Sequence, residues 1–472
     1  MVIFMKNQVN KIANFFKPKC KSSYKYIIKK VKKQLPNIID DNYVNNREKF
    51  SGNRGGYTLE YGWSLCGQDL TKTDMTDLST ENFTKLSFDE NTKFSKSQLD
   101  KFKPWEILEK GKHFGLNLDK IKEAKINGSG INIAVIDCPF DIQNPEMLDE
   151  NGQNKVIYYD DSAISSKNKN YDGFHGKTVT SLLAGTNVGI APNCNIYYFA
   201  GSEDPTDLEL SNVLGKIKKL NEDGANIKAI SMSGSFREDE INDKYTEEFK
   251  KQDCAFISAA NFFNIGNFAY LNRNVLKNVD DIDTYTKGHE FSKSSVRRKK
   301  EMTDEEYLKY MDYKEEKNKN AINIPTSGRT YPQISNGYMY CGSSSASWSI
   351  PQAAGLFALA KQLDSNISFE EFTQICATTA SKSKNGYNVI NPEGLLRQIN
   401  EQNKTKSKVD KDYIEIYSKS SKLISNLDRI IEQESTFKGE LKSKINLSLD
   451  ELSIFGKSKE KSKEKEDFQI EN

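Results

Sequence analysis

Apolar positions fall into three regimes along the chain. Up to about residue 104 they are sparse and set among Lys and Asn. Val9, Ile12, Phe15 and Phe16, then Tyr24, Ile27, Ile28 and Val31, recur at helical spacing between lysines. The stretch from Asn45 to Lys103 has no such period and reads as loop with little core of its own. From about Pro104 to Asn400, short apolar runs alternate with longer helical patterns. From about Glu401 the chain is rich in Lys, Glu and Ser; Leu423, Leu427, Ile430 and Glu434 mark one amphipathic helix, and Lys457 to Asp467 carries too little apolar surface to order itself.

The middle regime sets the fold class. Ile131-Asn-Ile-Ala-Val-Ile-Asp137, Asn195-Ile-Tyr-Tyr-Phe-Ala200, Lys228-Ala-Ile-Ser-Met-Ser233 and Cys254-Ala-Phe-Ile-Ser-Ala-Ala-Asn261 are near-continuous apolar runs, as strands buried on both faces require. Between them, Gly176 to Ala184, Asp207 to Asn221 and Asp239 to Lys251 carry the helical pattern. The alternation predicts an α/β fold, a doubly wound, mostly parallel sheet with helices on both faces. Ligands bind such sheets at the carboxyl ends of the strands, where Asp137 and Asn261 fall. Three parts follow: an N-terminal extension (1–104), an α/β domain (105–400) interrupted by a charged insertion (264–320), and a C-terminal tail (401–472).

Charge and cysteine content narrow the function. Lys and Arg number 68 against 66 Asp and Glu, a net charge of +2, so no overall field draws in nucleic acid. The basic run Arg297-Arg-Lys-Lys300 is followed at once by Glu301, Asp304, Glu305 and Glu306, which reads as a solvated excursion or a flap over a cleft. Seven cysteines lie singly, with no C-x-x-C pair, and read as small core residues in a reducing compartment. The apolar start Val2 to Met5 is cut short by Lys6, and no run reaches the length of a membrane span. A cytoplasmic location is the expectation, with signal-independent export the alternative. Residues 1–35 form a basic amphipathic segment that would dock on the protein body or, less simply, touch an anionic membrane surface.

Three histidines, His113, His175 and His289, limit any mechanism that needs a neutral-pH base. His175 lies in Asp172-Gly-Phe-His-Gly176, a glycine-flanked turn leading into the helical run Thr178 to Ala184. Ser347 precedes an apolar helical run, where backbone N–H groups point outward. Pro351 has no N–H for the Ser347 carbonyl four residues back, which loosens the turn holding that serine. An Asp at a strand end, a His at a helix start and a Ser at a second helix start thus occur in the order Asp, His, Ser, one of the known orders of the convergent triads.

With those residues in view, the chain resembles the subtilisin-like serine peptidases. Val135-Ile-Asp137 resembles that family's V-I-D strand, Asp172-Gly-Phe-His-Gly-Lys-Thr-Val179 its H-G-T-x-V-A segment, and Ser345-Ala-Ser-Trp-Ser-Ile-Pro351 its G-T-S-M-A-x-P motif. Ile230-Ser-Met-Ser-Gly234 resembles the strand bordering the substrate cleft. Ser258-Ala-Ala-Asn261 resembles the A-A-G-N segment that supplies an oxyanion asparagine. The likeness spans about residues 105 to 400. It departs at Cys138-Pro139, at Lys177 and at Ser345-Ala346.

The resemblance implies a serine endopeptidase acting on polypeptides with no metal or organic cofactor. Asp137, His175 and Ser347 would be its triad, Asn261 an oxyanion donor, and Ser233, Gly234, Ser235, Ala259 and Ala260 the lining of the pocket for the residue before the cut. It also allows the N-terminal region to be an inhibitory propeptide. The rival reading is a catalytically silent module of the same fold that binds peptides or a partner protease.

Overall fold

The computed structural model describes residues 37–45, 65–164, 173–202, 205–287, 303–332, 337–342 and 346–404. The basic segment 1–35, the run Arg297 to Lys300, His289 and the tail helix around Leu423 to Glu434 lie outside them. The chain divides into two compact units, Met1–Glu401 and Gln402–Asn472, and only the first is described in any detail.

The expectation of a coreless loop before residue 104 fails for residues 65–103. Ser79 caps α1 (Thr80–Phe83), a Ser95–Gln98 capping box starts α2 (Lys96–Phe102), and Pro104 stands at the first position of α3 (Pro104–Lys112). Phe83 stacks on Phe102 with ring centroids 4.4 Å apart and on Phe88, in β1 (Phe88–Asp89), at 5.2 Å. Around them Leu65, Leu70, Leu78, Leu86, Ile107 and Leu108 make a second core, closed by Val275 and Tyr340 from far along the chain. These apolar residues sit between turns rather than on one long element. They show no period in sequence, and only distant partners complete the cluster.

The central sheet matches the predicted class. β2 (Asn132–Asp137), β3 (Val156–Asp160), β4 (Asn195–Ala200), β5 (Ile227–Met232) and β6 (Ala255–Ile257) run parallel in the order β3-β4-β2-β5-β6. Strand β2 shows why its run is apolar throughout. Ile133 and Val135 enter the core beneath α4 (Phe174–Ala184), while Ala134 and Ile136 pack on the other face under α5 (Asp207–Glu222) and α6 (Asp239–Lys250). Such burial contributes roughly 1.5–3 kcal/mol per large side chain.

Two boundaries differ from the sequence reading. The run Cys254 to Asn261 is not one strand: β6 stops at Ile257, Ser258 accepts the Asn261 N–H, and α7 (Ala259–Asn264) begins. The insertion read at 264–320 belongs in part to the body. β7 (Phe268–Arg273) pairs with β8 (Tyr285–Lys287) and, in parallel, with β9 (Ile322–Pro325) in a second sheet; α8 (Asp304–Asn320) leads into β9. Beyond it, β10 (Arg329–Pro332) and β11 (Tyr338–Cys341) form a hairpin whose outer edge is taken by β1, and α9 (Ala346–Leu363) runs back through the core.

Candidate active site

Asp137 ends the central strand β2, at the carboxyl edge of the sheet. Its Oδ1 and Oδ2 lie 2.9 and 3.0 Å from His175 Nδ1, and Oδ1 also accepts the Cys138 N–H at 2.8 Å. A carboxylate accepts only, so Nδ1 carries the proton and Nε2 is left as the basic atom. The Asp137 side chain is 8% exposed and that of His175 30%, so the carboxylate is sheltered while one edge of the imidazole reaches solvent.

His175 is the second residue of α4, which starts at Gly173 without a side-chain cap. Gly176 is needed there because a Cβ would overlap the Cys138 carbonyl and the Tyr198 hydroxyl, themselves hydrogen-bonded to each other. The Gly176 N–H donates to Cys138 Sγ at 3.2 Å. The unusual Cys138 after the aspartate therefore ties the end of β2 to the first turn of the histidine helix. At the far end of α4, the buried Lys155 ammonium donates to the Ala184 carbonyl at 2.6 Å and to Thr186 Oγ1 at 2.7 Å. Burial pushes its pKa down to about 8.

Ser347 lies in the first turn of α9, where helix N–H groups have no partner four residues back. Pro351, inside the same helix, withholds the N–H that would bind the Ser347 carbonyl; the Ser233 hydroxyl donates to that carbonyl instead, at 2.9 Å. One expected cleft residue thus holds the turn of the serine in place. The next residue, Trp348, is 1% exposed and packs on the His175 ring with centroids 5.2 Å apart, backed by Tyr331 at 5.6 Å. The helix carrying Ser347 is thereby packed directly on the imidazole. In the sequence, the only signal for this tryptophan is its place directly after Ser347 in the Ser345–Pro351 motif.

The pocket segments also meet, since Gly234 accepts the Ala259 N–H at 2.8 Å. Asn261 is placed otherwise. It is 1% exposed; its amide donates to Thr246 Oγ1 at 2.8 Å and to the Phe256 carbonyl at 2.6 Å, and its Oδ1 accepts from Asn242 at 2.7 Å. Both amide hydrogens are spent inside the protein, so the expected oxyanion donor is turned toward α6 in this arrangement. The cause is the early end of β6: one helical turn from Ser258 rotates Asn261 inward. The Ser258-x-x-Asn261 capping spacing was the missed signal.

Among the described residues no group of three or more His, Cys, Asp and Glu side chains converges as a metal site, and no helix is long and apolar enough to cross a membrane. Cys194, Cys254 and Cys376 are buried free thiols whose pKa burial raises, that of Cys194 to about 12, which keeps them protonated and unreactive.

Comparison with solved structures finds a cold-adapted subtilisin-like serine proteinase (16% identity, TM-score 0.36, covering 56% of this chain and 88% of that one). It also finds the prenylagaramide maturation protease PagA (14%, TM-score 0.38, 60% and 98%) and the subtilase cytotoxin SubAB (11%, TM-score 0.42, 61% and 96%). Comparison with curated protein sequences found no match. The profile of the subtilase family matches residues 128–408, more than half of the 472, and takes in Asp137, His175 and Ser347 alike. The chain belongs to the subtilase family of serine peptidases.

Proposed function

We propose that the protein is an endopeptidase in which Ser347, His175 and Asp137 act as one catalytic unit on polypeptide substrates, with no cofactor. The observation that carries this reading is the approach of both Asp137 oxygens to His175 Nδ1 within 3.0 Å, beside the tryptophan that follows Ser347. Ser347 Oγ attacks the scissile carbonyl as His175 Nε2 takes its proton; the same proton then passes to the leaving amine. Asp137 keeps the imidazole in the tautomer that leaves Nε2 basic and stabilises the imidazolium. The tetrahedral oxyanion is met by the Ser347 N–H, a donor at a helix N-terminus. Ser233, Gly234, Ser235, Ala259 and Ala260 border the cleft, and their small side chains leave room for a sizeable residue before the cut.

A fluorophosphonate probe tests this directly. The wild type should be labelled on Ser347, and Ser347→Ala should lose labelling together with about 10^6 in kcat, the scale expected when a member of a cooperative triad is removed. Labelling that persists in the alanine variant would remove Ser347 from its role.

One observation favours the second reading, a silent module that only binds peptides: the inward-turned Asn261 leaves the oxyanion without that side-chain donor. A wild type that binds peptides but takes no label would establish it.

A further inference from the structure

We propose that residues 65–116 are a permanent brace of the folded enzyme, not a removable propeptide, and that through Tyr340 and Gly342 they position the chain entering Ser347. The positional part rests on the triad reading above.

The brace meets the body where the serine segment begins. β1 pairs with β11, Phe88 opposite Tyr340 and Asp89 opposite Met339. The Tyr340 hydroxyl donates to the Thr84 carbonyl at 2.8 Å, and Ser87 Oγ donates to Cys341 Sγ at 3.7 Å. At Gly342, five residues before Ser347, a Cβ would overlap the backbone of Thr84 and Lys85. The main chain of the brace at Thr84 and Lys85 therefore lies directly against the main chain of Gly342, an approach only glycine permits.

The far end is bolted independently. Thr330 Oγ1 donates to the Leu108 carbonyl at 2.7 Å, and Gly111 packs against that same threonine. Arg273, 5% exposed on β7, donates to the carbonyls of Phe114 at 2.7 Å, Gly111 at 3.3 Å and Gly328 at 3.1 Å. All three acceptors are main-chain carbonyls. Burial lowers the pKa of this guanidinium, and these carbonyls, together with the Tyr285 hydroxyl, offset the cost of holding its charge in the interior. Removing residues 65–116 would take away two of the three, and would uncover Val275 and Tyr340, which the second core now covers. An inhibitory propeptide must fill the cleft and leave. The brace meets Arg273, Val275, Thr330, β11 and Gly342, and among the described residues no hydrogen bond joins it to Ser233–Ser235 or Ala259–Ala260.

The test uses the full chain. Fluorophosphonate-labelled protein is weighed intact by mass spectrometry, and backbone hydrogen exchange is followed in the wild type and Gly342→Ala. Every labelled species should retain residues 65–116, and β1 and β11 should exchange as slowly as β2. Gly342→Ala should lose protection at β1 and β11, keep it at β2, β4 and β5, and label at least tenfold more slowly, because a displacement near 1 Å at a catalytic group costs up to about 10^2 in rate. Labelled chains beginning beyond residue 116, or wild-type labelling in Gly342→Ala after loss of β1–β11 protection, would overturn the proposal. Should Gly342→Ala fail to accumulate, Tyr340→Phe removes only the hydroxyl; slower labelling at an unchanged melting temperature supports the brace, and an unchanged rate overturns it. A wild type that takes no label defeats the peptidase reading alone; slow exchange at β1 and β11 then still supports the permanent brace, and exchange as fast as in loops overturns it.

Discussion

Among the described residues two His–Asp pairs join Nδ1 to a carboxylate, in opposite settings. His113 Nδ1 lies 2.6 Å from Asp119 Oδ2, and His175 Nδ1 lies 2.9 Å from Asp137 Oδ1. The first pair joins residues six apart across an exposed turn, with side chains 59% and 43% accessible; the second joins a strand end to a helix start and holds its carboxylate at 8%. At Asp119 burial raises the pKa, but Lys122 and His113 outweigh it and the net shift is downward, the behaviour of a solvated ion pair. At Asp137 the same contact is enclosed by the sheet edge, Cys138, Gly176 and the packed Trp348 ring. The pair itself is common chemistry. What makes one of them a catalytic candidate is the enclosure that fixes its orientation and brings the helix bearing Ser347 against it.

The sharpest way to break this comparison is to neutralise each carboxylate in turn. Asp137→Asn should lower kcat by about 10^4, because an asparagine amide can donate to Nδ1 and favours the wrong tautomer. Asp119→Asn should leave kcat within twofold. Equal losses in steady-state assays would show that enclosure is not the distinction.

Asn261→Ala sharpens the account of the site. Removing the buried amide leaves Asn242 and the Phe256 carbonyl without their partner, which should cost about 1–3 kcal/mol of stability in denaturant unfolding, with kcat nearly unchanged. A loss of 10^2 to 10^3 in kcat at full stability would show that this amide turns to the oxyanion in the working enzyme.

A last test concerns the other end of α4, away from the reacting groups. The Lys155 pKa is about 8 in the folded state against an ordinary value of 10.5, so between those pH values the unfolded chain binds more protons and stability rises with pH. The penalty is full below about pH 8. Measured against Lys155→Met, the wild type should gain at most about 1.4 kcal/mol per pH unit from pH 8 to 10. A constant difference over that window would count against a charge buried at the helix end.

Legibility in the sequence followed the range of the forces involved. Strands β2, β4 and β5 and the long helices were readable, since each shows its burial as a continuous run or a helical period. The core around Phe83 was not, because its apolar residues gain meaning only from Leu65, Val275 and Tyr340, up to 275 positions apart. Asp137, His175 and Ser347 were readable as types in context: a strand end, a glycine-flanked helix start, and a helix start counted back from Pro351. The strand expected to run to Asn261 ends at Ile257, because Ser258 caps a helix there.

By itself, then, the sequence determined the parallel sheet, the three residues in their order, and the absence of the Pro351 N–H. Tertiary structure alone decided the rest. Packing chose Ser233 as the donor for the Ser347 carbonyl, seated Trp348 on the imidazole, spent the Asn261 amide in the interior and laid residues 84–85 on Gly342. Local pattern records which groups a segment must bury or satisfy, whereas the partner that satisfies them is chosen by close packing among segments far apart in the chain.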